Sequence, residues 1–395
     1  MNTQLDTDLV AVASNLGPLI AKHSAEGEQK RRVSPVVLDA LKEAGLVRML
    51  TPKSLGGLEV DPVTCARVVE EVARFDSATG WTLQAANSGS FYCARLPDEG
   101  AQEIYSNGPD VVTALAVHPP MKAIPVDGGY RVSGQNPLSS NISDAEWLMT
   151  LVQSPGVDGL RGAFIPKRDL SVIDTWYTMG MRGTDSNDVV VKEVFVPTAR
   201  TWPLVPEFEP GSHFQGPLYI YPSLGDGIFI LAPVGLGIAT QAIEEFKRLA
   251  QGKTPFMSGT SLRERPVAQM ALGKAEGVLC SARSFFYQMV TEAWERTVSG
   301  QASTKEEKAK LMLAAVHLMQ SSVEAVDHVS VVAGTSAIYT RSPMERAFRD
   351  IHTIRHHGWV SESRYGTYSQ VVLGLEPDFP LATFGKMAEG DSDSA

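Results

Sequence analysis

The hydrophobic pattern changes its period twice along this chain of 395 residues, and that change limits the possible folds more than any single motif does. In residues 1–105 the apolar side chains recur at helical spacing, as Leu38 and Leu41 do. Asp61-Pro62 is typical of a helix start, because aspartate caps a helix and proline suits its first turn. The first segment therefore predicts a domain of short helices.

Residues 106–205 have a β-strand pattern instead. Short runs rich in valine recur there, such as 111–117 and 188–197, and Gly, Pro and Asp separate them. The Asp-Gly-Gly sequence at 127–129 is typical of a tight turn between two strands. This segment predicts a small β-barrel or β-sandwich.

Long helical patterns return after a Pro- and Gly-rich loop and fill residues 223–380. The predicted helices cover 239–250, 262–298, a third that starts from a capping box at Ser303 and Glu306, and 343–373 with a break near Gly358. Helices of this length form up-and-down bundles. We assign the chain to the α+β class, with an N-terminal helical domain, a middle β domain, a C-terminal four-helix bundle and a flexible tail over 381–395.

Composition narrows the partners. The net charge of -10 argues against nucleic acid or an anionic membrane as the main partner. The three cysteines are far apart and form no Cys/His cluster, so neither a disulfide framework nor a structural metal site is expected. The first residues lack a signal-peptide pattern, and no uninterrupted apolar run reaches the roughly 18 residues of a membrane helix. We expect a cytoplasmic protein without a membrane anchor.

Four motifs follow one another in a fixed order. They are LGGL at 55–58, EEVARFDSATGW at 70–81, MGMRGTDSND at 179–188 and PMERAFRD at 343–350. Together with the order of helical, β and helical segments, they resemble the acyl-CoA dehydrogenase family. The resemblance implies the fold of that family and a flavin cofactor, FMN or FAD.

Two departures from the family's dehydrogenases change the expected chemistry. Many of those enzymes carry a catalytic glutamate at the position where this chain has Gly358, nine residues after Arg349. Removal of a proton next to a thioester needs a positioned carboxylate, which glycine does not have. The family's Thr-Glu-Pro-x-Ala-Gly-Ser-Asp type of loop is also replaced, by residues 113–122.

Other residues resemble the reduced-flavin monooxygenases of the same family. Arg349-Asp350 followed by His357 matches the ending of that branch. Residues 134–141 match in part its Gly-x-Trp-Pro-Phe-x-Ser-Gly stretch beside the flavin. Asn136 occupies the tryptophan position and Asn141 the second glycine position.

The resemblance assigns roles to individual residues. It makes Ser140 the hydroxyl that faces the flavin N5 and His357 the imidazole that activates a phenol or amine substrate or orients the peroxide. The predicted cofactor-binding residues are Trp81, Thr113, Leu138, Ser139, Ser140, Gly334, Thr335 and Ser336, the last three toward a neighbouring subunit. A packing or turn role is the alternative for these residues. No metal site is expected, because His352 and His356 have the spacing of metal ligands but no evident third ligand.

The leading hypothesis is a two-component flavin monooxygenase that oxidises a small aromatic or amine-bearing substrate with O2 and reduced flavin, through a C4a-hydroperoxide. The chain has no Gly-x-Gly-x-x-Gly motif for a nicotinamide cofactor, so a separate flavin reductase is expected. One alternative is an acyl-CoA dehydrogenase with its base elsewhere, for which Glu276 is the candidate. Another is a non-catalytic helical scaffold. The family resemblance also implies a homotetramer.

Overall fold

The computed structural model describes residues 3–222, 228–379 and 382. Five helices form the N-terminal part: α1 Thr3–Lys30, α2 Pro35–Glu43, α3 Pro62–Phe75, α4 Ser77–Cys93 and α5 Asp98–Ile104. Asp61 caps α3 as predicted, because its carboxylate accepts the N–H groups of Val63 and Thr64 at 2.9 and 3.0 Å. The expectation of short helices is wrong for α1, which has 28 residues and packs along α3.

The seven strands in the described part of the chain form one continuous sheet. They are β1 Thr113–Val126, β2 Gly129–Ser139, β3 Trp147–Gln153, β4 Arg161–Pro166, β5 Ser171–Ile173, β6 Asn187–Pro197 and β7 Thr201–Pro203, in the order β5-β6-β2-β1-β3-β4-β7. The predicted turn at 127–129 joins β1 to β2, which pair antiparallel. The pairing of β1 with β3 is parallel and is interrupted between Ala116 and Met121. That irregular stretch of β1 carries side chains into the site described below.

The C-terminal helices are α6 Ile228–Gly252, α7 Pro266–Val298, α8 Lys305–Ala333, α9 Pro343–Ile354 and α10 Arg364–Val372. The fourth predicted helix is thus two helices, separated by residues 355–363. The capping box of α8 is one residue later than predicted and consists of Thr304 and Glu307. The flexible tail predicted for 381–395 lies outside the described residues except for Ala382.

Helix α6 is the centre of the molecule and packs against α3, α8 and α9. A Cβ atom at Gly237 would lie 2.5 Å from the carbonyl oxygen of Glu70, so glycine is what allows α6 to approach α3 this closely. Among the described helices, α6 alone is long and apolar enough to cross a membrane, and 78% of its apolar window is buried inside the protein. It therefore has the burial of a core helix.

Candidate active site

A cavity of about 400 Å³ lies where the three parts of the chain meet. Its walls are formed by α4, residues 115–118 of β1, the end of β2, the loop 174–186, Leu231 of α6, and the end of α9 with the turn that follows it. The lining includes the indole rings of Trp81, Trp176 and Trp359 and, among the described residues, no Asp, Glu, Lys or Arg. Mostly apolar walls with a few polar groups are typical of small-molecule sites of this size.

Ser140 lies in the wall of this cavity at the end of β2. The Trp81 indole on α4 donates a hydrogen bond from Nε1 to Ser140 Oγ at 2.9 Å. The Ser186 hydroxyl lies 2.8 Å from the same oxygen. Two residues predicted at the flavin, 59 positions apart in the sequence, are therefore in direct contact.

His357 lies in the same wall, in the turn that follows α9. Its backbone N–H donates to the carbonyl oxygen of Ile354 at 2.9 Å, which ends the helix. Its ring meets the Trp81 ring edge-on, with the centroids 5.4 Å apart. Burial lowers the pKa of His357 to about 4, so the imidazole is neutral near pH 7. The backbone N–H of Trp359 lies 3.5 Å from Nδ1, and a donor on that side favours the neutral tautomer with its proton on Nε2.

Arg349 and Asp350 do not line the cavity but hold its walls together. The Asp350 carboxylate on α9 accepts the Met181 N–H at 2.5 Å and the Ser77 hydroxyl. Arg349 donates to the Met179 carbonyl oxygen at 2.7 Å. The pair therefore fixes the loop 174–186 and α4 to the helix that precedes His357. Burial raises the pKa of Asp350 to about 6.

The structure explains both asparagines that depart from the monooxygenase pattern. Asn136 is buried, donates from Nδ2 to the Pro119 carbonyl oxygen at 2.6 Å and accepts the Thr150 hydroxyl at 2.7 Å. It thereby ties the irregular part of β1 to β3. Asn141 has φ +59° and replaces glycine at a left-handed position, which asparagine tolerates better than most residues.

The remaining predicted residues of the middle segment differ in position. Leu138 has φ +60°, is 60% exposed and lines the cavity. Ser139 is completely buried and lies outside the described lining. Thr113 is also buried outside it, under α4, where its hydroxyl contacts the carbonyl oxygens of Ala85 and Ala86 at 3.4 Å. Thr113 and Ser139 therefore belong to the segments that form the cavity wall, but their side chains are buried away from it.

Gly334, Thr335 and Ser336 lie at the end of α8, outside the described cavity lining of this chain. Gly334 ends α8 with a positive φ of 58°. The Lys253 ammonium group donates to the Ala333 carbonyl oxygen at 2.6 Å and to Ser336 Oγ at 2.8 Å. A contact of this segment with the flavin of a neighbouring subunit stays a prediction.

The candidate base of the dehydrogenase alternative lies on the surface. Glu276 forms an ion pair with Lys247 and is not among the described residues that line the cavity. His352 pairs with Asp327 at 2.9 Å, and no cluster of metal-ligating residues occurs in the described part of the chain. The site therefore lacks the carboxylate that proton removal next to a thioester would require.

Several lining residues were missed by the sequence analysis. They are Gln84, Ser88, His118, Trp176, Thr184, Ser186, His356 and Trp359. Thr184 and Ser186 fall within the motif at 179–188, so the sequence pointed to their segment but not to their individual roles. Gln84 and Ser88 lie on the helix of Trp81, and His356 is next to His357, so these three neighbour predicted residues. His118, Trp176 and Trp359 reach the cavity only through the tertiary fold.

The fold and the sequence match known proteins over most of the chain. Models of the families described as "Acyl-CoA dehydrogenase, N-terminal domain" and "Acyl-CoA dehydrogenase, C-terminal domain" match residues 11–103 and 229–362. The solved structure of XiaF from Streptomyces sp. in complex with FADH2 superposes with a TM-score of 0.89 at 23% identity and covers 96% of this chain and 98% of that one. The fold is thus that of the acyl-CoA dehydrogenases.

The curated relatives that the chain matches include monooxygenases. An indole-3-acetate monooxygenase of Pseudomonas putida is 32% identical over 355 residues, which are 89% of this chain and 90% of that protein. The flavin-dependent monooxygenase oxygenase subunit HsaA of Mycobacterium tuberculosis is 26% identical over 93% of this chain and 96% of its own length. The chain belongs to the acyl-CoA dehydrogenase family and, within it, to the flavin-dependent monooxygenases. HsaA and the p-hydroxyphenylacetate 3-hydroxylase of Acinetobacter baumannii are named as the oxygenase subunit and the oxygenase component of their systems.

Proposed function

We propose that this oxygenase uses reduced flavin from its reductase to insert one oxygen atom into a small, uncharged aromatic substrate. The observation that carries the proposal is the indole-walled cavity in which Trp81, Ser140 and a neutral His357 meet. The cavity fits a flavin ring because its aromatic and aliphatic walls suit a planar ring system, and Ser140 supplies a hydroxyl for a ring nitrogen. When bound, reduced flavin supplies the electrons that activate O2.

Ser140 holds the N5 hydrogen of the reduced ring in this proposal. A serine oxygen accepts hydrogen bonds, and the Trp81 indole fixes its position from the other side at 2.9 Å. The apolar walls keep water away from the reacting atoms, which limits loss of the reducing equivalents as peroxide. Leu138 covers the same region from the end of β2.

His357 orients the substrate rather than removing its proton. With a pKa of about 4 it is a weak base, so proton transfer from a phenol or indole nitrogen to it is uphill. Its neutral ring instead donates from Nε2 to an electron-rich substrate atom or to activated oxygen. The edge contact with Trp81 fixes the ring plane relative to Ser140.

The lining favours an uncharged aromatic substrate. The three Trp side chains supply apolar surface, and the described lining contains no Lys or Arg as a permanently charged partner for a carboxylate; its basic side chains are those of His118, His356 and His357. The relatives named for indole-3-acetate and p-hydroxyphenylacetate act on aromatic acids. We infer that this chain shares the aromatic preference but prefers the ring without the acid group.

A cytoplasmic homotetramer without a membrane partner is the assembly that we propose. Its support is the strongly exposed apolar surface of the C-terminal helices and their loops, where Phe256, Met257 and Val331 are 95%, 91% and 79% exposed in the single chain. The three cysteines are free thiols, as in a reducing compartment.

The test supplies reduced FMN or FAD from a general flavin reductase with NADH, isotopically labelled O2, and indole or indole-3-acetate. We expect labelled product with indole and little with indole-3-acetate, measured by mass spectrometry, with peroxide measured in parallel. Equal or better use of the acid would contradict the inferred substrate class. Absence of label from every aromatic or amine substrate, together with anaerobic bleaching of bound FAD by an acyl-CoA, would establish a dehydrogenase instead.

A further inference from the structure

Three hydroxyl groups form a row in the wall of the cavity. Trp81 Nε1 lies 2.9 Å from Ser140 Oγ, and Ser140 Oγ lies 2.8 Å from Ser186 Oγ. Ser186 Oγ lies 2.7 Å from Thr184 Oγ1, which is 2.9 Å from the Met181 carbonyl oxygen. All four distances are those of ordinary hydrogen bonds.

The two ends of this chain of hydrogen bonds determine its direction. An indole N–H only donates and a carbonyl oxygen only accepts, whereas each hydroxyl does both. The indole and the three hydroxyls supply four hydrogens for four bonds. All four bonds form only when Trp81 donates to Ser140, Ser140 to Ser186, Ser186 to Thr184, and Thr184 to the Met181 carbonyl. The Met181 carbonyl oxygen also accepts the Trp176 indole N–H at 3.0 Å and the Thr184 backbone N–H at 3.1 Å. In the reverse order, Thr184 Oγ1 would still lie 2.9 Å from that oxygen with no hydrogen between them, which is an unfavourable contact of two acceptors.

This order leaves Ser140 with no hydrogen to offer the cavity. Its own proton points to Ser186, and one lone pair accepts the Trp81 indole. The second lone pair is the remaining bonding group of the hydroxyl, and Ser140 lines the cavity. Toward a ligand the residue is therefore an acceptor.

We propose that Thr184 and Ser186 are positioning residues that fix Ser140 as a hydrogen-bond acceptor, so that the cavity selects reduced over oxidised flavin. The inference rests on the proposed function. In reduced flavin N5 carries a hydrogen that Ser140 accepts, whereas in oxidised flavin N5 is itself an acceptor and would face a lone pair. A site whose buried polar group is left unpaired by one form of a ligand discriminates against that form.

The test measures dissociation constants of photoreduced and of oxidised FMN under anaerobic conditions. We expect the unmodified protein to bind the reduced form at least about tenfold more tightly. Each tenfold preference raises the two-electron potential of the bound flavin by about 30 mV, which gives an independent measurement.

Two variants break the chain of hydrogen bonds. Thr184→Val keeps the shape but removes the last hydroxyl, and Ser186→Ala removes the middle one. In both, the Ser140 proton is free to turn toward the cavity and meet oxidised N5. We expect the preference for reduced FMN to fall about tenfold, mainly through tighter binding of the oxidised form. Thr184→Ser restores the hydroxyl and should restore the preference.

A buried hydroxyl outside the cavity provides the control. Ser322 on α8 donates to the Leu318 carbonyl oxygen at 2.7 Å, and Ser322→Ala should leave the preference unchanged. An unchanged ratio in both Thr184→Val and Ser186→Ala, or an equal loss of affinity for both forms, would overturn the inference. Failure of the unmodified protein to bind either form of FMN or FAD would instead overturn the proposed function on which it rests.

Discussion

His357 is the residue whose surroundings matter most for the chemistry. It combines a place in the cavity wall, an edge contact with Trp81 and a pKa lowered to about 4. His352 lies five residues earlier, on α9, and instead pairs with Asp327. The two histidines therefore differ in their surroundings, because one lines the cavity and the other faces a surface carboxylate.

Replacement of His357 by alanine tests its orienting role. We expect His357→Ala to lower product formation by about tenfold to a hundredfold and to raise peroxide release, because the substrate or activated oxygen loses a hydrogen-bond donor. Affinity for reduced flavin should change little. His352→Ala is the matched control and should retain normal coupling of NADH consumption to product. Unchanged turnover in His357→Ala would remove the residue from the site.

The pKa of His357 also predicts how stability depends on pH. The folded value of about 4 is below the ordinary 6.5, so between these values the unfolded chain binds a proton that the folded chain does not. Stability contributed by the neutral ring is present above pH 6.5 and is lost as the pH falls toward 4.

A variant without a titratable group isolates this effect. Between about pH 7.5 and about pH 5, the free energy of unfolding of the unmodified protein should fall by about 2 kcal/mol more than that of His357→Gln. Urea unfolding at both pH values measures the difference. Parallel pH profiles for the two proteins would show that the imidazole is not neutralised by burial.

At the scale of elements, the important feature is the interruption between α9 and α10. Residues 355–363 leave the helix, which turns His357 into the cavity instead of leaving it on a helix surface. Asp350, near the end of α9, bonds to Met181 and thereby holds the loop that carries Thr184 and Ser186. The end of α9 thus positions two parts of the cavity wall, namely His357 and the loop 174–186.

The start of α8 gives a prediction at the same scale. Glu307 N–H donates to Thr304 Oγ1 at 3.1 Å, and the Glu307 carboxylate accepts the Thr304 N–H at 2.8 Å. Thr304→Ala should lower the free energy of unfolding by about 1 kcal/mol, and Thr304→Ser should restore it. Ser303→Ala leaves both hydrogen bonds of this capping box in place and should lower the free energy of unfolding by less than Thr304→Ala does. Chemical denaturation measures all three variants. A larger loss of unfolding free energy in Ser303→Ala than in Thr304→Ala would show that Ser303, the residue predicted from sequence, is the cap.

At the scale of the whole molecule, apolar surface remains exposed after the single chain has folded. Phe256 and Met257 follow α6, and Ile338 and Leu373 lie at the far ends of the C-terminal helices with 70% and 72% exposure. Apolar surface of this kind marks protein–protein contact sites. Burial between copies would remove it from water.

Light scattering tests the proposed assembly. The protein should have the mass of four chains of 42.7 kDa. The double change Phe256→Asp and Met257→Asp should shift it to smaller species, because charges in an apolar contact lose hydration without gaining partners. Val157→Asp, at an exposed loop of the β domain, is the control and should leave the mass unchanged. A monomeric unmodified protein would contradict the tetramer.

The sequence by itself determined the order of helices and strands, the family and its change of chemistry. Hydrophobic period is a local property, so the turn at 127–129 and the cap at Asp61 were predictable from neighbouring residues. The resemblance was strong enough to select Ser140, Trp81 and His357, which the fold brings together.

Only the tertiary structure decided which side chains reach the cavity, with what protonation state and with what hydrogen-bond direction. Thr113 lies under α4 and Ser139 is completely buried, whereas their neighbours Leu115 and Ser140 line the cavity, because β1 and β2 are irregular here and do not alternate simply. The lowered pKa of His357 and the row of hydroxyls behind Ser140 arise from contacts between segments distant in sequence. Burial and hydrogen-bond direction depend on those contacts, which no local pattern contains.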